Sequence, residues 1–139
     1  MENNSKIKPF KNCLALNGYH CQTNSLAKIF HFYSHPLSED MILGLGVGMG
    51  FIYWQMKMGK ESYVFIGGRG NNKNFLSDLG KRTGVKIKSI STSSPKKAET
   101  ALLEKLSKNE PVILFADMGF LPWFELPKDY HFGGHTLVA

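Results

Sequence analysis

The spacing of apolar side chains divides the chain into helical and extended segments. In CQTNSLAKIFHFYS, Leu26, Ile29, Phe30 and Tyr33 recur at i, i+3, i+4 and i+7, which predicts a helix from Cys21 with one buried face. It should end before His35-Pro36, because the residue ahead of a proline is driven out of the helical region. Ser38, Glu39 and Asp40 read as an N-cap with an acidic first turn, opening a short helix through Leu43 that the glycines at 44, 46, 48 and 50 terminate. The aromatic and β-branched runs Phe51–Met56 and Tyr63–Ile66, separated by a turn at Met58-Gly59-Lys60, predict a strand pair. Phe75, Leu76 and Leu79 sit at helical spacing ahead of Gly84, a suitable C-terminal cap.

Strict alternation in Val85-Lys86-Ile87-Lys88-Ser89-Ile90 predicts a half-buried strand. Ser94-Pro95 supplies an N-cap and a first-turn proline for a helix through Leu106, with Ala98, Leu102 and Leu106 facing inward. Pro111–Ala116 reads as a buried strand, and Thr136-Leu137-Val138 begins another. A helix-rich first half and a strand-rich second half favour α+β or mixed α/β, and α+β is the expectation. The 139 residues suit one domain, 1–139, with no repeat or Pro/Ser-rich linker dividing it. Because the chain stops inside a predicted strand, that domain is expected to be cut on its C-terminal side.

Composition narrows the class. Hydrophobic residues make up 42% and charged residues 20%, which suits a packed core and excludes intrinsic disorder. The longest uncharged stretch, Met41–Met56, falls short of the ~20 apolar residues that cross a bilayer, so no membrane span is expected. MENNSKIKPFKN lacks the apolar segment of a secretory signal, and two cysteines are too few for a disulfide scaffold. A reduced, cytoplasmic protein is expected. The net charge of +6 is unevenly placed: residues 57–108 hold 12 Lys/Arg against 4 Asp/Glu. That segment would steer an acidic partner, whereas no zinc-finger spacing, aromatic signature or Arg-rich helix points to nucleic acid.

Cys21 is the leading candidate for chemistry. At the start of a helix, after the turn-forming Asn17-Gly18, its sulfur would sit beside unpaired N–H groups and the positive end of the helix dipole, which favour a nucleophilic thiolate. The alternative is a small buried hydrophobe. Cys13, beside Leu14-Ala15-Leu16, reads as inert. His135, after Gly133-Gly134 at the start of the last strand, is the best placed of five histidines to act as base, distant in sequence and adjacent in space. His20 could assist, while His31 and His35 read as structural or surface residues and His131 has no assured facing. Asp117 ends the strand that would pair with the His135 strand, which makes it a candidate orienter or a turn carboxylate. Neither CxxC nor HExxH supports a metal site, so no metal or cofactor is expected. LGLGVGMGF lacks the ending of a phosphate loop and reads as close packing around the thiol helix or as a flexible lid.

HCQTNSLAKIFHFYSHPLSEDMILGLGVGMGFIYW, FIGGRGNNKNFLSDLGKRTGVKI, NEPVILFADMGFLPWF and HFGGHTLVA together resemble the N-terminal domain of the butirosin biosynthesis protein H family. The resemblance implies a papain-like thiol fold, its nucleophile at the N-terminus of an early helix on a mainly antiparallel sheet. It also implies acyl transfer from an acidic acyl carrier protein's thioester to an amine acceptor of aminoglycoside type. Cys21 then takes the nucleophile's position and His135 the base's, with the third catalytic member expected shortly beyond the histidine strand. Thioester-to-amine transfer needs a thiolate, a base and an oxyanion site, for which the Cys21 N–H and the Asn17 or Gln22 side chain are candidates. A cysteine peptidase or amidase using the same pair, and a non-catalytic binding module, are the alternatives.

Overall fold

The computed structural model of the protein describes residues 10, 16–70, 73–131 and 133–139, so Cys13 lies outside the described residues. In chain order the elements are α1 (Cys21–Phe32), α2 (Glu39–Leu45), β1 (Ile52–Met58), β2 (Glu61–Gly67), α3 (Phe75–Thr83), α4 (Pro95–Ser107), β3 (Ile113–Asp117) and β4 (Gly134–Val138). Two short 3-10 turns, Met118–Phe120 and Pro122–Phe124, follow β3. Helices and two separate two-stranded antiparallel sheets make this an α+β protein. The chain forms two compact units, one from the described residues up to Glu39 with Ile90–Ala139, the other from Asp40–Ser89.

The first unit carries α1, α4 and the β3–β4 sheet. α1 starts and stops where the pattern predicts, because His20 caps it and Ser34, at φ 61, turns the chain away before His35-Pro36. Its buried face is Leu26, Ala27 and Phe30, with Thr23 and Ser25 buried beside them. This face packs against β4, and the Ser25 hydroxyl donates to the Thr136 carbonyl at 3.3 Å. β4 pairs with β3 from Ile113 opposite Val138 to Asp117 opposite Gly134. Pro111–Ala116, expected to be buried, is only half so, and Phe115 is 65% exposed, since the two-stranded sheet leaves much of the strand uncovered. α4 is capped as expected, Ser94 Oγ accepting from the Lys97 N–H. None of its residues is buried: of the predicted inward face Leu102 and Leu106 are half-buried and Ala98 is exposed, because among the described residues no element makes more than slight contact with α4.

The second unit is built on Ile42, Phe75 and Leu79, all fully buried. β1 and β2 form the expected hairpin, closed by Gly59-Lys60 with Gly59 at φ 65. The glycine run packs closely on Phe75: a Cβ at Gly46 would lie 2.2 Å from the Phe75 ring, and one at Gly48 2.9 Å from it. The Arg69 guanidinium lies over the same ring, 3.6 Å from its centroid. Val85–Ile90 forms no strand. Its alternation meets no third strand, because the hairpin is a two-stranded sheet and β3 pairs with β4.

Candidate active site

The turn that enters α1 depends on a close approach. A Cβ at Gly18 would lie 2.1 Å from Asn24 Nδ2 and 2.3 Å from Glu39 Oε1, so any side chain there would push those two side-chain ends out of their present places. Glu39, the first residue of α2, reaches this turn and accepts from the N–H groups of Tyr19 at 3.1 Å and His20 at 3.2 Å. It also accepts from Thr23 Oγ1 at 2.7 Å and Asn24 Nδ2 at 3.5 Å. Burial pushes the carboxyl's pKa up, but the Thr23 hydroxyl, the two amides and the Asn24 side chain outweigh it and hold the pKa below its ordinary value. His20 caps the helix through Nδ1, which accepts from the Thr23 N–H at 3.4 Å; in the neutral ring the proton is then on Nε2.

Cys21 follows as the first residue of α1, a free and half-buried thiol. The N–H groups of Tyr19, His20, Thr23 and Asn24 are all engaged, the last by the His20 carbonyl at 2.9 Å. The Cys21 N–H has no partner among the described residues. Cys21 and His135 line one cleft of about 550 Å³, walled on one side by α1 and its entry turn and on the other by His135–Val138. Ser25, one turn along α1 on the same face as Cys21, ties that wall to β4 beside His135. The His135 ring stands edge-on to Phe124, their centroids 5.2 Å apart at 79°. Lys28 also lines the cleft, whereas Asn17 and Gln22, the expected oxyanion side chains, are not among its lining residues.

Asp117 is not brought to His135. The register sets His135 opposite Ala116 and Asp117 opposite Gly134, so the two side chains leave opposite faces of the sheet. The Asp117 carboxylate accepts from the Gly119 N–H at 2.8 Å and contacts His131 Nδ1 at 3.0 Å, where the Phe120 ring packs on the imidazole. His131 therefore takes the acidic partner that sequence reasoning assigned to His135. Sequence reasoning missed Glu39, Thr23 and Ser25 as parts of the site; only the apolar spacing of α1, which places Ser25 on its inner face, held a signal for one of them. Among the described residues no three His, Cys, Asp or Glu side chains cluster as metal ligands.

A family model described as butirosin biosynthesis protein H, N-terminal, matches residues 20–139. The chain belongs to this family. The match opens at His20, the residue that caps the thiol helix, and runs through both units to the end of the histidine strand. Membership connects this butirosin-family domain with antibiotic biosynthesis. Neither the comparison with curated proteins nor that with solved structures finds a match. No helix among the family member's described residues is long and apolar enough to cross a membrane.

Proposed function

We propose that the chain is a papain-like, cysteine-dependent acyltransferase domain that moves an acyl group from a carrier-protein thioester to an amine acceptor. The observation that carries this reading is the shared cleft of Cys21 and His135 on two elements tied by the Ser25–Thr136 bond. In the first half-reaction His135 takes the Cys21 proton, the thiolate attacks the thioester carbonyl, and the oxyanion meets the Cys21 N–H, which has no partner among the described residues. The C–S bond to the carrier then breaks, and His135 protonates the departing thiolate. In the second, His135 takes a proton from the incoming amine as it attacks the acyl-Cys21 carbonyl, and Cys21 leaves. The chemistry needs no cofactor. Asn17 or Gln22 as a second oxyanion donor requires side-chain movement into the cleft.

Charge supports an acidic carrier as donor. Of the lysines on and after α4, Lys105 pairs with Glu110 and Lys108 with Glu104, each at 2.6 Å. Lys96 and Lys97 occupy the first turn of α4, where the helix dipole disfavours cations, so helix stability does not account for them. They are the basic pair best suited to a partner, in a reduced cytoplasmic setting.

The open cleft favours one second reading, hydrolysis by a cysteine peptidase or amidase with water as acceptor. Incubation with acyl thioesters followed by intact mass should show an adduct that Cys21→Ala abolishes. Adding an amine then separates transfer from hydrolysis. No adduct with any thioester refutes the proposal.

A further inference from the structure

Glu39 lies outside the residues that line the cleft, yet its carboxylate holds the turn that forms one wall. Tyr19 and His20 send consecutive N–H groups to the same side chain, which sets the Gly18–Tyr19 and Tyr19–His20 peptide planes just ahead of the one that joins His20 to Cys21. Thr23 Oγ1 is shared between Glu39 and the His20 carbonyl, at 2.7 and 3.2 Å, so the first turn of α1 is tied to the same carboxylate. Gly18 completes the arrangement, since any side chain there would displace Glu39 Oε1 or Asn24.

We propose that Glu39 is a positioning residue for the thiol: by collecting the Tyr19 and His20 amides it fixes the backbone that presents Cys21 Sγ and the Cys21 N–H to the cleft. The kinetic part of this proposal rests on the acyl-transfer reading; the placement of the turn does not. A carboxylate this close to the helix start is not there to favour the thiolate, because a neighbouring anion opposes a second negative charge. Its contribution is directional. Among the described residues the N–H that would meet an oxyanion has no partner, while the two N–H groups before it are spent on Glu39.

Glu39→Gln and Gly18→Ala test it together, the first replacing one acceptor oxygen by a donor and the second leaving the carboxylate but crowding it out. Three quantities are read beside thermal unfolding: exchange of the Tyr19 and His20 amide protons, alkylation of Cys21 by iodoacetamide, and acyl-adduct formation from a thioester. Iodoacetamide needs no oxyanion donor, so its rate should hold or rise in Glu39→Gln. Acylation should fall roughly tenfold or more, the scale on which misplacement by a fraction of an ångström acts. The two amides should exchange faster in both variants while the melting temperature stays within a few degrees.

Unchanged exchange at Tyr19 and His20 overturns the proposal, as does wild-type acylation in Glu39→Gln. A parallel fall in acylation, alkylation and melting temperature also overturns it, because that is the signature of a merely structural tie. A wild-type protein that forms no adduct refutes the acyl-transfer reading alone; exchange at the two amides still decides whether Glu39 places the turn.

Discussion

Ser25 offers the sharpest perturbation of the cleft, because it is buried at 3% exposure and bonds directly to the strand that carries His135. Replacing it with alanine removes one neutral hydrogen bond of 3.3 Å to the Thr136 carbonyl. A bond of that kind contributes about 1 kcal/mol net. For a chain of this size, that corresponds to a melting temperature lower by about 4 °C. The cavity is one oxygen atom wide, so α1 and β4 should keep their spacing and acylation of Cys21 should change less than threefold, about 0.6 kcal/mol in the barrier.

Ser25→Val acts differently. Its two methyl groups enter a contact already closed by Thr136, at 6% exposure, and overpacking of this kind costs about 1–3 kcal/mol. The strain is relieved by moving α1 away from β4. Cys21 lies four residues up the same helix, about 6 Å along its axis, so it moves with that wall. Misplacement of a reacting atom by about 1 Å costs up to a hundredfold in rate. Thermal unfolding and the rate of acyl-adduct formation, measured on wild type and both variants, check the argument. A Ser25→Val protein that acylates at the wild-type rate refutes the claim that the close Ser25–Thr136 contact sets the spacing of the cleft, and a Ser25→Ala protein whose melting temperature moves by less than a degree refutes the claim that the hydrogen bond stabilises that contact.

Gly46→Ala should destabilise the second unit by about 1–3 kcal/mol, because its Cβ would fall 2.2 Å from the buried Phe75 ring; urea unfolding followed by amide exchange in Asp40–Ser89 reads the loss. Glu39 has a folded pKa below its ordinary value, so its contribution is fully present above the carboxylate range of about 4 and is lost as pH falls through the folded value. Exchange of the Tyr19 and His20 amides should therefore accelerate on acidification beyond its intrinsic pH dependence, and Glu39→Gln should abolish that acid step. Charge reversal of Lys96 and Lys97 should weaken binding of an acidic carrier protein at low salt and flatten its salt dependence; unchanged affinity by calorimetry removes the docking face.

Elements whose boundaries are set by local rules were legible in the chain. α1 begins at Cys21 and ends before His35-Pro36 because capping and the residue before proline act over three or four positions. α3 stops at a left-handed Gly84, and the hairpin turns at Gly59-Lys60, for the same reason. Val85–Ile90 forms no strand because alternation reports a surface that could join a sheet, while strand formation needs a partner, and the described residues offer none. The glycine run failed in another way. Absence of side chains announces that something approaches closely but does not name it, and the visitor is Phe75, reached only once α3 folds back.

The candidate site shows the same division at finer scale. Cys21 could be placed from sequence because a helix start is local, and His135 because a strand start after two glycines is local too. Asp117 could not, since its role turns on parity. Antiparallel pairing of the two strand ends is enough to bring Asp117 near the His135 strand, yet a register with Ala116 opposite His135 sends the carboxylate through the other face to His131. Shifting that register by one residue would reverse the assignment, and nothing in Pro111–Ala116 or in HFGGHTLVA specifies it. Glu39 was hidden for the complementary reason. Its neighbours Ser38 and Asp40 make it read as part of α2's first turn, whereas its hydrogen bonds run back 15 to 20 residues to the turn before the thiol. A carboxylate at the head of one helix that serves the head of another leaves no periodic trace, and only the packed chain reveals which amide groups it has taken and which it has left to Cys21.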